Sequence, residues 1–540
     1  MTELQVEKLV APEMPIVVRS RVRDPRQPLD VRWAHPLLLA IFCLLFFFYG
    51  INSGDLWRTE NLRALIAAEF LRSGDWIVPR LYGEPYLTKP PGMYAAIALA
   101  SWPMGEVRTW SARLPSALAA TITVFLFYWY FARVLGRSGG LAAALVLPLS
   151  LIWLDKAGVA EIDMLQVAWV TGAILCFLRA LEEEEASTPG EEEPASRNRT
   201  PAFFAVYPSP SLAVCPSPRP GFWWAAAMLC VAGGVMTKWT APAFFYCTVI
   251  PLLWWRGRLR LLWTRQHLLG AGLAAGLVIA WAGAVIADVG WQSFSYTVGR
   301  EAVARFYPEK YGNPYRWELV LMHPLRLLAT ALPWSAVALL SLRPGFMQLW
   351  DERGRRLLQA LHCWVWPNMI FWSFVSEHAP RHSFPLFPGI AGLAAFVWAA
   401  WSSGRLRWPL PRVAPQTVLA IALAAWFMVK LVHVHAVTPA RNEPRQPRAK
   451  GERLASLVPA GKTLHVLGLM NKDEGILFYY RRPVRRLPDP SCHPLPVETL
   501  YCLLEEYEWQ AWHASRPLEL VARLAGESGD PLLLAKVPGQ

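Results

Sequence analysis

Charge is scarce in this sequence. Only 17% of its 540 residues are Asp, Glu, Lys or Arg, against about a quarter in a soluble globular chain. The deficit argues against an ordinary soluble enzyme. Several motif classes are also missing. There is no HExxH, no paired CxxC and no other dense ligand spacing, so no metal site is expected from spacing. No Walker motif or GxGxxG points to a nucleotide. No repeat of about 20–50 residues is found, and no cleavable signal peptide is read ahead of the first apolar run. Cysteine is sparse, 8 in all. Cys43, Cys176, Cys230, Cys247 and Cys363 sit in apolar segments as small hydrophobes. Cys492 and Cys502 lie in a polar region and could pair if that region is extracytoplasmic.

What remains is apolar. Hydrophobic residues make up 54%, with 28 Trp, and mean hydropathy is +0.25. The net charge of +13 then reports cytoplasmic loops facing anionic lipid rather than a nucleic-acid partner. Apolar runs suited to a bilayer of about 30 Å cover 36–52, 112–134, 140–155, 158–181, 222–237, 240–255, 267–287, 324–342, 360–376, 383–402 and 415–436. Basic connections fall on alternate sides of this map. If the tail 1–35 is cytoplasmic, so are the others. The segment 90–105 is too short to cross and reads as interfacial or re-entrant. The predicted fold is an α-helical polytopic membrane protein of about 11–13 transmembrane helices. Its membrane part is 36–436. It carries a first outward loop at 53–111 and a disordered acidic, Pro- and Ser-rich loop at 182–221. A small extracytoplasmic α/β domain follows at 437–540. There "KTLHVLGL" and "PLLLAKV" read as strands, and "ETLYCLLEEYEWQAWH" as a helix.

On this map the costly polar groups collect on the outward face, where ionisable residues usually mark function. In "LWRTENLRALIAAEFLRSGDW", apolar spacing predicts a helix with Thr59 as N-cap, Glu60 in the first turn and Gly74 closing it. That account is sufficient for Glu60 without catalysis. Lys89 precedes Pro90-Pro91 and is held extended. It suits a lipid phosphate, and it also suits a snorkelling interfacial lysine. Glu161 and Asp163 stand at the mouth of a span, two apart, so that one faces a site and the other water. Lys238 ends a span beside helix breakers. Each of these charges alone is explained by a membrane boundary.

Together the pieces are similar to a known family. The order "SGDWIVPRLYGEPYLTKPP", "ARLPSAL", "AEIDML", "GGVMTKW", "ALPWS" and "HAPRHSFPLFP" resembles the polyprenyl-phosphate-sugar glycosyltransferases of GT-C fold. These are the aminoarabinose (lipid A) transferase and protein O-mannosyltransferase group. The resemblance runs from about residue 36 to 402. It implies an enzyme of the inner membrane moving a sugar from a polyprenyl-phosphate carrier to a lipid, glycan or protein acceptor on the extracytoplasmic side. The partners implied are that donor, that acceptor and membrane lipid. It implies Tyr86 and Lys89 as phosphate contacts, and Arg381 and His382 near the late span. Thr59, Thr88 and Tyr311 stand where relatives carry Asp, Glu and His, and His378 and His382 where they carry Lys and Tyr. No cofactor is therefore predicted: the usual divalent-metal ligands are replaced, which implies a metal-independent site or an inactive one, with a divalent metal left as the alternative.

Displacement at an anomeric carbon needs fixed cations for the departing phosphate and a carboxylate for the acceptor proton. The expectation assigns Lys89, Lys238, Arg381 and Tyr86 to the first task and Glu60 to the second. Glu161, Asp163 and His382 position substrate. The rival readings are a non-catalytic carrier-binding homologue and a transporter.

Overall fold

The computed structural model describes residues 31–187, 220–307, 315–375, 379–406, 413–468, 473–487, 498–513 and 517–539. The tail 1–30, most of the loop after 187, Tyr311, His378 and Cys492 lie outside them, and so does the Cys492–Cys502 pairing. Cys502 itself is buried.

Apolar runs become helices because a bilayer leaves the backbone no partner but itself. The N-terminal half begins with α1 (Val31–Cys43), α2 (Thr59–Ser73), α3 (Gly92–Ser101) and α4 (Thr109–Val146). It continues through α5 (Leu151–Lys156), α6 (Ile162–Ser187), α7 (Pro220–Thr237), α8 (Ala241–Trp255) and α9 (Arg265–Val289). There follow α10 (Trp291–Phe306), α11 (Trp317–Thr330), α12 (Trp334–Leu339), α13 (Glu352–Ser373), α14 (Phe387–Ser402) and α15 (Pro415–Val432). Among the described residues six helices are long and apolar enough to cross a bilayer, and the bent pair α11–α12 makes a seventh. The other expected crossings fall on α1, α8, α13 and the second leg of α4. That leg arises at Gly136 (φ 75, ψ 169), which interrupts α4. The chain doubles back there so closely that a Cβ on Gly140 would stand 2.6 Å from the Ala132 backbone. α6 and α14 lie deep in the bundle, whereas α9 shows Leu268, Leu269, Leu273, Leu277 and Ile279 to the surroundings. Such a face suits lipid. At ten residues, α3 is about 15 Å long, about half of what a hydrocarbon core of about 30 Å requires.

Two expectations need correction. The acidic run Glu182–Glu185 is not part of a disordered loop, because α6 continues through it to Ser187. Arg179 explains this. It pairs with Glu182 and with Glu183 (2.5 Å) one turn on, the spacing that supports a helix. In the C-terminal region, Leu500–Glu505 is strand β5 rather than the first half of a helix, and only Glu506–His513 (α19) is helical. β5 pairs in parallel with β3 (Leu464–Val466) and antiparallel with β7 (Pro531–Val537). Sheet pairing on both edges outweighs the helical spacing of "LYCLLEEYEW". The sheet order is β4-β3-β5-β7-β6, with β4 at Val484–Arg486 and β6 at Glu519–Ala525. The bridge before it is largely helical, comprising α16 (Thr438–Asn442) and α17 (Pro447–Leu457).

Through α18 (Glu474–Tyr480) this domain docks on α2 and the turn preceding it. Leu56 N donates to Tyr479 Oη at 3.1 Å and Arg445 donates to Leu56 O at 3.0 Å. Arg448 pairs with Asp55 at 3.0 Å, and Arg485 with Glu69 at 2.7 Å. Within the junction, burial pushes the Glu474 carboxyl up to about 7, helped by Glu527 and Asp473. An acid raised this way holds its proton in the folded state and releases it on unfolding. Its stabilisation is complete below about pH 4.5 and is lost as pH rises through about 7. Glu474→Gln should therefore flatten the fall in melting temperature between pH 5 and 8 that the parent shows, as read by thermal unfolding in a pH series.

Candidate active site

The loop of Ile51–Thr59 is shaped by one arginine. Arg113, on the buried side of α4, donates to the carbonyls of Ile51 (3.1 Å), Ser53 (2.8 Å) and Asp55 (3.2 Å). It also grips both oxygens of Glu60 at 2.8 and 3.0 Å. Glu60 accepts two more bonds, from Trp57 N (2.9 Å) and Ala160 N (2.8 Å). The two side chains are 3–4% exposed. Burial alone would push the Glu60 carboxyl up. Arg113 and the two backbone N–H groups outweigh it and hold the carboxyl below its ordinary range. This revises the expectation for Glu60. With four donors on two oxygens it anchors the turn and has no lone pair aimed at an acceptor.

Thr59 also differs from expectation. Arg58 (φ 52) occupies the cap position and Thr59 is the first helical residue, while Gly74 (φ 72) closes the helix as expected. The Thr59 hydroxyl donates to Glu161 Oε1 at 3.1 Å instead of capping α2. Glu161 precedes α6, and its other oxygen takes Lys156 Nζ at 2.7 Å. Asp163, in the first turn of α6, takes Lys238 Nζ on Oδ1 at 2.9 Å. Neither acid faces bulk water, contrary to the expectation that one would. They are 8% and 4% exposed, and each is matched to its own lysine. The acids differ in what they leave over. Both oxygens of Glu161 are engaged, whereas Asp163 Oδ2 makes no hydrogen bond among the described residues and keeps some accessible surface.

Arg63 extends the cluster. It lies one turn beyond Thr59 on α2, is 6% exposed, and donates to Tyr94 Oη at 2.8 Å. Its charge acts on Tyr86, Glu161 and Asp163. Tyr86 is buried. It follows the tight hairpin of β1 (Arg80–Leu81) and β2 (Glu84–Pro85), turned by Tyr82 and Gly83 at φ 56 and 87. Positive φ at both central residues is the geometry such two-residue turns favour. Lys89 leaves that hairpin and pairs with Glu301 of α10 at 2.5 Å. His382 is half-buried and close enough to Asp163 to act on its charge. Arg381 is exposed and stands outside this buried cluster.

Sequence reasoning missed Arg63, Tyr94 and Arg113 as members of the site, while Lys156 is among the outward-face charges it points to without a role of its own. Arg113 carried a signal, being an arginine within an apolar helix. Arg63 carried none, since helix-surface arginines are ordinary.

Related GT-C enzymes raise the question of a divalent cation. A hard cation needs several oxygen donors with lone pairs to spare. Here Glu60 is committed to Arg113, Glu161 to Lys156 and Asp163 to Lys238. Among the described residues no three His, Cys, Asp or Glu side chains converge. Among the described residues this donor set does not fit a divalent cation, and side chains supply its positive charge.

Residues 88–188 match the family model described as dolichyl-phosphate-mannose-protein mannosyltransferase. Over 372 residues the chain is 28% identical to an undecaprenyl phosphate-α-4-amino-4-deoxy-L-arabinose arabinosyl transferase of Pseudomonas fluorescens. That match covers 67% of this chain and 55% of the relative. A Yersinia enterocolitica transferase of the same name is 32% identical over 152 residues, covering 28% of this chain and 27% of the relative. The chain thus spans little more than half the length of the curated relatives it matches along most of its length. Among solved structures, ArnT from Cupriavidus metallidurans bound to undecaprenyl phosphate superposes with a TM-score of 0.70 at 16% identity. The overlap covers 93% of this chain and 98% of that one. At that identity the likeness is one of fold. The chain has the ArnT-like GT-C fold, and it resembles the polyprenyl-phosphate-sugar glycosyltransferases, the aminoarabinose transferases above all.

Proposed function

We propose that this protein transfers a sugar from a polyprenyl-phosphate carrier to an acceptor on the extracytoplasmic side of the inner membrane. The observation that carries this reading is the buried set Asp163–Lys238, Glu161–Lys156 and Arg63. It lies beneath the first outward loop, in a fold solved elsewhere with undecaprenyl phosphate bound. Such a centre offers what the displacement requires. The acceptor's nucleophilic atom forms a bond to the anomeric carbon. The bond from that carbon to the phosphate oxygen breaks, and the carrier leaves as its phosphate. The acceptor proton passes to a carboxylate. Asp163 takes that role through Oδ2, while Lys238 fixes its other oxygen. Lys89, Tyr86 and Arg63 meet the charge on the departing phosphate. Glu60 holds the loop in register for these groups.

Lys89→Ala should raise KM for the carrier-linked sugar about tenfold or more, since a phosphate contact made before and during transfer contributes to binding. The assay is release of polyprenyl phosphate by the purified protein, followed by mass spectrometry. Carrier binding without release, over a panel of sugars and acceptors, would instead assign the protein a non-catalytic role.

A further inference from the structure

A second charged centre lies at the other end of the bundle. Its cavity, of about 680 Å³, is lined by Arg133, Arg179, Arg256, Arg258, Arg353 and Arg356. These residues come from α4, α6, the end of α8 and the start of α13. Its position follows from α6 itself. Asp163 stands in that helix's first turn, and Glu183 of the cavity comes twenty residues later. At 1.5 Å per residue that separation is about 30 Å, the thickness of a hydrocarbon core. The cavity therefore opens at the membrane face opposite the proposed transfer site.

Its charge is unbalanced. Three acids, Glu182, Glu183 and Glu185, line it against six arginines. Glu185 is shared by Arg256 (3.3 Å), Arg258 (3.8 Å) and Arg356. Glu182 is shared by Arg179, Arg133 (3.8 Å) and the Tyr130 hydroxyl (2.6 Å). Two of the arginines also keep a buried donor in reserve. Arg179 is 6% exposed and stacks on Trp223, yet its Nε has no partner. Arg256 Nε is likewise buried and unpaired. A buried N–H without an acceptor is unfavourable, and an anionic ligand would supply the acceptors these two lack among the described residues. The size is right for a headgroup or small phosphate, since ligand pockets run from about 300 to 1,000 Å³. Guanidinium forks match phosphate oxygens in pairs.

We propose that this cavity binds a phosphate-bearing ligand at the face opposite the transfer site, through its arginine cluster. A lipid headgroup of that leaflet and a soluble phosphate compound share this chemistry, and the experiment separates them. Full-length protein is reconstituted into phosphatidylcholine vesicles with and without phosphatidylglycerol. Bound lipid is counted by native mass spectrometry, and inorganic pyrophosphate serves as the soluble probe. The variant Arg258→Gln/Arg353→Gln alters the exposed Arg353 and the half-buried Arg258, whose contact to Glu185 is the long one at 3.8 Å, and leaves the pairs of Arg179 and Arg256 in place.

Preferential retention of phosphatidylglycerol, cut roughly tenfold in the variant, supports a lipid source. Pyrophosphate binding in pure phosphatidylcholine, also weakened by the variant, supports a soluble source. Equal retention of the two lipids with no pyrophosphate binding overturns the proposal, and so does binding that the variant leaves unchanged. A failure here leaves the transfer reading untouched, because the cavity shares no residue with that site.

Discussion

Asp163→Asn should lower the transfer rate constant by about 10²–10⁴-fold, the range for loss of a positioned general base. KM for the carrier-linked sugar should stay near its parent value, because the lost contact serves the acceptor proton and not the phosphate. Asparagine keeps an oxygen for Lys238 Nζ but leaves that ammonium buried without its counter-charge. Some loss of stability is therefore expected with the loss of rate. Asp163→Asn/Lys238→Met separates the two effects. It removes both charges together, so the melting temperature should recover while transfer remains absent. Full activity in Asp163→Asn would remove Asp163 from the mechanism.

Arg113→Ala should cost about 3–5 kcal/mol of stability, the range for breaking a buried ion pair from one side. It strips four acceptors at once, namely Glu60 and the carbonyls of Ile51, Ser53 and Asp55. Arg113→Lys should recover little, because an ammonium cannot reproduce the fork. Glu60→Gln should destabilise through the same pair, leaving Arg113 charged and buried. Glu60→Gln/Arg113→Ala should lose less stability than the two single variants summed, and that non-additivity measures the coupling. Thermal unfolding in detergent reads all four. An inactive Glu60→Gln with a parental melting temperature would return the base role to Glu60.

The membrane helices were legible in the sequence because hydrophobic length and loop charge are one-dimensional signals. So was the acidic turn with Gly74 as its stop. What was illegible was pairing. Glu161 and Asp163 look alike as boundary acids, and only the fold sends Lys156 to one and brings Lys238 to the other from 75 residues away. The same holds for Thr59. Its sequence position suits an N-cap, but Glu161 approaches from a segment about a hundred residues distant and captures its hydroxyl. Glu60 stands out in the sequence, but its grip by Arg113 and two backbone N–H groups does not. A carboxylate at a helix start is the same in sequence whether it meets solvent, substrate or the guanidinium of Arg113. β5 failed for a related reason, since its strand identity is fixed by two neighbouring strands that lie far off in the chain.

On the proposed function, a carboxylate–lysine centre transfers sugar from a polyprenyl-phosphate carrier without a divalent cation. The deciding measurement is single-turnover release of carrier phosphate by the purified protein in bilayers, given a panel of polyprenyl-phosphate-linked sugars and a membrane-lipid acceptor extract, with and without chelator. Release with formation of a glycosylated product is expected, undiminished by the chelator and abolished in Asp163→Asn/Lys238→Met. Release that vanishes with chelator, or that persists in the double variant, would contradict it.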